Sequence, residues 1–251
     1  MDRAGVIAQS LSMKLILPAA LMVMLLASCG PAPEETASSP AEPASRSLFD
    51  GTSLEGWESP DMSYWSVEEG AITAIASDEN PAKKNQFLVW QGGEIADFVL
   101  TLQFRVDGGP KANSGIQVRS QVQPDGHAVG YQVDISQPDA PWLGAIYDEH
   151  GRKMLATRGE KTTVEADGAL TKSSLEESAA KAIDSYKAGE WNSYRITGAG
   201  NCITVELNGH VTSEVTDLQE AERELSGILA LQLHSGPPMK VQFKDIVLET
   251  K

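Results

Sequence analysis

The strongest constraint on the fold comes from three short segments in which apolar and polar residues alternate. They are 113–119 (NSGIQVR), 130–135 (GYQVDI) and 229–236 (LALQLHSG). Alternation with a period of two predicts strands that bury one face. The polar positions carry side chains that recognise or react, namely Gln117, Arg119, Gln132, Asp134, Gln232 and His234. If these strands are neighbours, one face of a sheet becomes a floor of hydrogen-bonding and titratable groups.

The first 47 residues predict targeting and tethering. Lys14 precedes an apolar stretch at 15–26, which is too short for a confident membrane span, so residues 1–28 are predicted to be a signal peptide. The stretch ends in Leu-Ala-Ser-Cys, which resembles the bacterial lipobox, and Cys29 is therefore the predicted lipidation site. Residues 29–47 are rich in Pro, Ala, Ser and Glu and predict a disordered tether. The alternative is an ordinary secretory signal with a chance cysteine.

Charge and targeting signals limit the partners that this chain can have. The predicted lipid anchor places it in the cell envelope, and Gly30 after the cysteine favours the outer membrane of a double-membraned bacterium. The 35 acidic and 20 basic residues give a formal charge of −15, which repels phosphate backbones and argues against nucleic acid. Only Cys202 remains besides Cys29, so disulfides do not stabilise the predicted domain.

Strand signals dominate residues 48–251, which we expect to form one domain. Alternation recurs at 98–106, and Asn208-Gly209 between two alternating runs predicts a β-hairpin. The apolar phase switches within 241–248, which predicts a β-bulge near Lys244 or Asp245. One helix is predicted over 175–186, because Ser174-x-x-Glu177 has the spacing of a capping box. Many strands and one helix predict an all-β sandwich of two sheets, in a jelly-roll arrangement.

Eight motifs in order along the chain resemble one bacterial family. They are 49–57 (FDGTSLEGW), 65–72 (WSVEEGAI), 113–116 (NSGI) with Arg119, 130–135 (GYQVDI), 144–149 (GAIYDE), 191–196 (WNSYRI), 207–209 (LNG), and 227–228 (GI) with 231–234 (LQLH). Together they resemble the DUF1080 family of 3-keto-disaccharide or 3-keto-glycoside hydrolases. The resemblance implies a concanavalin A-like jelly roll of two antiparallel sheets, with a sugar site on its concave face. Much of the family has Glu and then Gln where this chain has Gln132 and Asp134, so substrate or mechanism could differ.

The resemblance also implies a chemistry, in which a C3 ketone acidifies the C2 proton and the C1 substituent leaves by elimination before water adds back. Such a reaction needs a base, a donor for the enolate oxygen and an acid. We expect His234 as base and Arg119 as enolate stabiliser, with Asp134 orienting His234 or acting as the base itself. Glu149 or Tyr147 is the expected acid. The expected substrate-binding residues are Asn113, Gln117, Gln132, Trp142 and Gln232.

No cofactor is expected, and His127, His150 and His210 show no spacing for a closed metal site. Simpler structural interpretations stay open: His234 as a surface histidine, Arg119 with Asp134 as an ion pair, and 147–149 as a polar strand end. The expected partners are a 3-keto sugar or another glycan, the membrane through the lipid anchor, and a sugar oxidoreductase that makes the keto substrate. The competing functions are a lectin-like binding module and a glycosidase that uses Asp134 and Glu149 as paired carboxylates.

Overall fold

The computed structural model describes residues 44–250. The predicted signal peptide, Cys29 and most of the predicted tether lie outside this range. Within it, no helix has the length and apolar character needed to cross a membrane. The strands, in chain order, are β1 (Ala44–Ser47), β2 (Trp57–Glu58), β3 (Trp65–Glu68), β4 (Ala71–Ala76), β5 (Gln86–Trp90), β6 (Phe98–Gly108), β7 (Asn113–Val122), β8 (Ala128–Ser136), β9 (Ile146–Glu149), β10 (Lys153–Ala156), β11 (Glu160–Val164), β12 (Leu170–Ser174), β13 (Asn192–Ala199), β14 (Cys202–Leu207), β15 (His210–Asp217), β16 (Ile228–Leu233) and β17 (Met239–Thr250).

The strands form two sheets, which confirms the predicted sandwich. The larger sheet has the order β12-β11-β15-β14-β13-β6-β17-β4-β3, with β1 paired to β17. The smaller sheet has the order β10-β9-β8-β7-β16-β5-β2. Neighbouring strands are antiparallel, except that β11 pairs with β15 in parallel. The helix α1 (Glu176–Asp184) lies in the connection between β12 and β13.

The core lies between the two sheets and follows from the alternation of the strands. On β6, Phe98, Leu100 and Phe104 point inward and are fully buried. They belong to one apolar cluster that also contains Ile116 of β7 and Val133 of β8. Each such side chain contributes about 1.5–3 kcal/mol by leaving water. Burial of one face fixes the strand register, because a slip of one residue would expose the whole set.

Local signals predicted the hairpin and the bulge better than the start of the helix. Asn208 and Gly209 both have positive φ, +48° and +82°, as a two-residue type I′ turn requires. The register of β17 shifts after Lys244, which confirms the predicted bulge. The helix begins at Glu176, and the Ser174 hydroxyl accepts from the Glu176 amide at 3.1 Å. The predicted capping box is therefore not formed, since the residue at the N-cap position is Leu175.

A second bulge, in β7, was not predicted and decides which side chains reach the outer face of the smaller sheet. Ala230 and Ile228 of β16 pair with Gln117 and Ser120, so β7 carries one extra residue between them. Arg119 lies within this bulge and has a left-handed φ of +50°. The extra residue reverses the alternation, because strand side chains change face at every step.

Candidate active site

The three segments with polar alternation are neighbours in the smaller sheet, as the sequence predicted. Gln117 on β7 lies opposite Gln132 on β8, and Gln132 lies opposite Tyr147 on β9. Two residues before Gln117 on β7, Gly115 lies between Gln232 of β16 and Asp134 of β8. Their side chains point away from the core, since the apolar residues between them belong to the central cluster. The outer face of this sheet is therefore a polar floor.

A cleft of about 370 Å³ opens on this floor. Its lining residues are Asn85, Asn113, Gln132, Asp134, Trp142, Tyr147, Glu149, Met154 and His234. Most of the predicted site residues are thus brought together. Asn85 and Met154 were missed: Asn85 lies in a loop without periodicity, and a lone Met carries no signal for a site.

Three glutamine amides form a hydrogen-bonded network, of which only Gln132 lines the cleft. Gln117 Nε2 donates to Gln132 Oε1 at 2.7 Å, and Gln232 Nε2 donates to the same oxygen at 2.8 Å. Gln117 and Gln232 therefore lie behind Gln132 and do not line the cleft, contrary to their expected direct contact with substrate. Gly115 leaves room for this arrangement, because a Cβ there would lie 2.6 Å from Gln132 Cδ. The network fixes Gln132, whose Nε2 donates to Asp134 Oδ1 at 2.7 Å.

Asp134 is the most perturbed acid of the cleft. Burial raises the pKa of its carboxyl to about 7, the hydrogen bond from Gln132 opposes that rise, and the negative charge of Glu149 adds to it. Within residues 44–250 no Lys or Arg forms an ion pair with Asp134. A carboxyl in this state exchanges a proton near neutral pH, as an acid–base catalyst must.

His234 lines the same cleft, and one of its ring nitrogens is held by the backbone. Its Nδ1 lies 2.6 Å from the carbonyl oxygen of Ser235. Because a carbonyl oxygen only accepts, Nδ1 carries a proton, and the lone pair of the neutral ring is therefore on Nε2. Asn85 fixes this segment by accepting from the Ser235 amide at 2.9 Å. The carbonyl of Ser235, and not Asp134 as one of the predictions had it, thus orients the imidazole.

Glu149 and Tyr147 form the wall on the β9 side. Glu149 Oε1 lies 3.3 Å from His127 Nε2, 3.5 Å from His150 Nε2 and 3.4 Å from Asn85 Nδ2. Burial, and then the charge of Glu149, raise the pKa of Tyr147 above its usual value, so its hydroxyl stays protonated. Trp142 is 44% exposed at the rim, where an aromatic face is available for stacking.

Arg119 does not reach the cleft, which corrects the prediction that it stabilises an enolate. The β7 bulge turns its side chain between the sheets, where it is buried. Its guanidinium donates to the carbonyl oxygens of Ala96 at 2.8 Å and Gly200 at 2.7 Å, and to Asp97 at 3.1 Å. It does not pair with Asp134 either. Arg119 ties two loops together, and its role is structural.

With this geometry in hand, comparison with known proteins identifies the family. Residues 44–249 match the model of the 3-keto-alpha-glucoside-1,2-lyase-like domain, and the chain belongs to that family. No curated protein sequence matches it.

Solved structures show the same fold. A proposed glycosyl hydrolase from Parabacteroides distasonis is 21% identical, with a TM-score of 0.56, 83% of this chain covered and 100% of the other. A protein with a galectin-like fold from Bacillus subtilis is 9% identical, with a TM-score of 0.55, 82% of this chain covered and 94% of the other. The carbohydrate-binding module CBM66, also from Bacillus subtilis, is 11% identical, with a TM-score of 0.50, 78% of this chain covered and 96% of the other. These likenesses confirm the concanavalin A-like jelly roll.

Proposed function

We propose that this protein cleaves 3-keto-glycosides by elimination across C1 and C2, followed by addition of water. One observation carries the proposal. A buried carboxyl with a pKa of about 7 and an imidazole nitrogen with a free lone pair line the same cleft. Sugar recognition alone needs amides, hydroxyls, carboxylates and aromatic rings, and does not require a carboxyl that titrates near neutral pH. Proton transfer near neutral pH needs such a group.

The titratable residues of the cleft have distinct roles in this scheme. His234 Nε2 removes the C2 proton, and the electron pair enters the enolate formed with the C3 carbonyl. Protonated Asp134 donates to the C3 oxygen as it becomes negative, in the place first given to Arg119. The C1–O bond then breaks, and Tyr147, whose hydroxyl stays protonated, supplies a proton to the leaving oxygen in preference to the charged Glu149. Water adds hydroxyl to C1 and hydrogen to C2, so the sum is hydrolysis.

Binding would use the remaining groups of the cleft. Asn113 and Gln132 offer amides to sugar hydroxyls, and the exposed face of Trp142 offers a surface for the ring. The C3 ketone must be made by a preceding oxidation, so the proposed reaction also needs a sugar oxidoreductase as its supplier. The CBM66-like fold favours one second candidate, a non-catalytic carbohydrate-binding module.

The test compares a 3-keto-glucoside with the unoxidised glucoside and follows release of the aglycone. We expect cleavage of the keto form alone, slowed by deuterium at C2. His234→Ala and Asp134→Asn should each lower kcat by about 10²- to 10⁴-fold, the usual contribution of a positioned acid or base. His210→Ala is the matched control, because His210 lies on the β14–β15 hairpin outside the cleft.

The other outcomes separate the alternatives. Sugar binding without cleavage would identify a binding module. Cleavage of both substrates would favour a glycosidase that uses Asp134 and Glu149 as its two carboxylates. Wild-type activity in His234→Ala, with the keto substrate still cleaved, would show that another group is the base.

A further inference from the structure

Two histidines and a glutamate converge beside the cleft, although the sequence spacing suggested no metal site. Ligand atoms of His127, Glu149 and His150 all lie within 4.8 Å of one another. The separations are 2.5 Å between the two Nε2 atoms, and 3.3 Å and 3.5 Å from them to Glu149 Oε1. We propose that these three side chains bind one divalent transition-metal cation of the Zn²⁺ type at the edge of the cleft.

The fold explains why residues distant in sequence meet here. Strands β8 and β9 are antiparallel, with Gly130 opposite Glu149, so the start of β8 lies beside the end of β9. His127 immediately precedes β8, while Glu149 ends β9 and His150 follows it. His150 has a left-handed φ of +57°, which turns the chain back after the strand. Three ligands are thus supplied from two paired strand ends, which form a rigid scaffold.

The geometry favours a cation over a chain of hydrogen bonds. A proton relay through a histidine uses both ring nitrogens, one to accept and one to donate. Here both rings direct Nε2 toward the same carboxylate oxygen, so three donor atoms face a common point. Ligand atoms about 2.0–2.2 Å from one tetrahedral Zn²⁺ lie roughly 3.3 Å apart. The two distances to Glu149 Oε1 already match that spacing. The distance between the two histidine Nε2 atoms is shorter, and His150, which is 56% exposed, can move outward to lengthen it.

Neighbouring groups hold the ligands in place. The His127 ring packs edge-on against Phe87, with 5.2 Å between ring centroids, and its backbone amide donates to Asp125 at 3.1 Å. Asn85 Nδ2 approaches Glu149 Oε1 at 3.4 Å, in the position of an outer-shell donor. Three protein ligands leave at least one coordination position open, which is typical of catalytic and not of structural zinc. Since Glu149 also lines the cleft, the open position would serve a water or a sugar oxygen there.

The test measures metal binding directly and needs no sugar, so its result is independent of the proposed reaction. The full chain is stripped with a chelator and titrated with Zn²⁺ by calorimetry, and with Co²⁺ by visible absorption. We expect one cation per chain with a micromolar or lower Kd, and no thiolate charge-transfer band. His127→Ala and His150→Ala should each weaken binding more than 100-fold, beyond the roughly 10- to 100-fold cost of losing an outer-shell partner.

Controls make the result decisive. His210→Ala should bind as the wild type does, because His210 lies in another part of the surface, beside α1. Zn²⁺ should raise the Tm of the wild type and of His210→Ala but not of His150→Ala, whose exposed side chain is not needed for folding. Absence of saturable binding below about 100 µM Zn²⁺ in the wild type, or wild-type affinity in either histidine variant, would overturn the proposal.

Discussion

The two faces of strands β8 and β9 both carry buried polar groups, but within residues 44–250 only the acids of the inner face are paired with a cation. On the inner face, Arg152 donates to Asp148 at 2.6 Å and to Asp217 at 2.7 Å, and the Tyr131 hydroxyl donates to Asp217. Each acid of this cluster is paired with a cation. On the outer face Asp134 has one amide donor, and no cation in the described chain pairs with it.

This difference separates a structural cluster from a candidate catalytic one. A buried pair that is fully hydrogen-bonded holds two sheets together, and here it joins β8 and β9 to Asp217 of β15. A buried carboxyl without a cation costs stability in its charged form, and its pKa rises instead. Such groups are concentrated at functional sites, although Glu224 beside the inner cluster also has a pKa raised to about 7. The pairing of charges, more than their burial, thus distinguishes the two faces.

Breaking the inner cluster should give the largest effect on stability. Arg152→Met leaves Asp148 and Asp217 buried without their cation, and we expect a loss of about 3–5 kcal/mol in the free energy of unfolding. Urea denaturation measures it. Arg195→Met is the control, because Arg195 lies 3.8 Å from Glu206 at the surface and its removal should cost at most about 1 kcal/mol. Equal losses in both variants would contradict the role given to the inner cluster.

Replacing Asp134 with asparagine should instead raise the free energy of unfolding, and the size of this gain should depend on pH. The pKa of Asp134 in the folded protein, about 7, lies above the ordinary 3.8, so the folded state binds a proton that the unfolded chain releases between these values. Wild-type stability therefore falls as pH rises from about 4 to about 7. Asp134→Asn lacks this titration. With about 1.4 kcal/mol per pKa unit, we expect the variant to gain about 3–4 kcal/mol on the wild type between pH 4 and pH 8.

The measurement is a pair of denaturation curves at pH 4 and pH 8 for both proteins. Burial also raises the pKa of Glu224 to about 7, but that contribution is common to both and cancels in the difference. Parallel changes in the two proteins would show that folding does not raise the pKa of the Asp134 carboxyl, contrary to its burial.

The sequence predicted most of the floor because strand alternation depends only on local order. Gln132, Asp134 and His234 reach the cleft for that reason. Arg119 was predicted wrongly, because the β7 bulge reverses the alternation and no Gly or Pro within the bulge signals it. The bulge in β17 was predictable, since there the apolar residues themselves change phase.

Features that depend on strand pairing could not be found from the sequence. His127 and His150 are 23 residues apart, and only the antiparallel pairing of β8 with β9 brings them together. The supporting role of Gln117 and Gln232 likewise follows from their register with Gln132, since alternation alone cannot tell a lining residue from one behind it.

The smallest expected effect tests whether that supporting layer matters for catalysis. Gln232→Leu removes one of two donors to Gln132 Oε1, so Gln132 and Asp134 should be held less firmly. The loss of one such bond, about 0.5–1.5 kcal/mol, corresponds to a roughly two- to tenfold fall in kcat/KM. Stability should change little, because Gln232 Oε1 has no partner within residues 44–250 and its removal relieves a buried polar atom.

Gln242→Leu is the matched control, since Gln242 is also buried but lies in the larger sheet and bonds to Arg105 at 3.0 Å and to Thr73 at 3.0 Å. It should lower stability by about 1–3 kcal/mol through the groups it leaves unpaired, and leave kcat/KM unchanged. If Gln232→Leu instead kept wild-type kcat/KM, the amides behind the cleft would be packing elements only. The two faces of strands β8 and β9 would then differ in the carboxyl of Asp134 alone, and the glutamine network around Gln132 would have no part in catalysis.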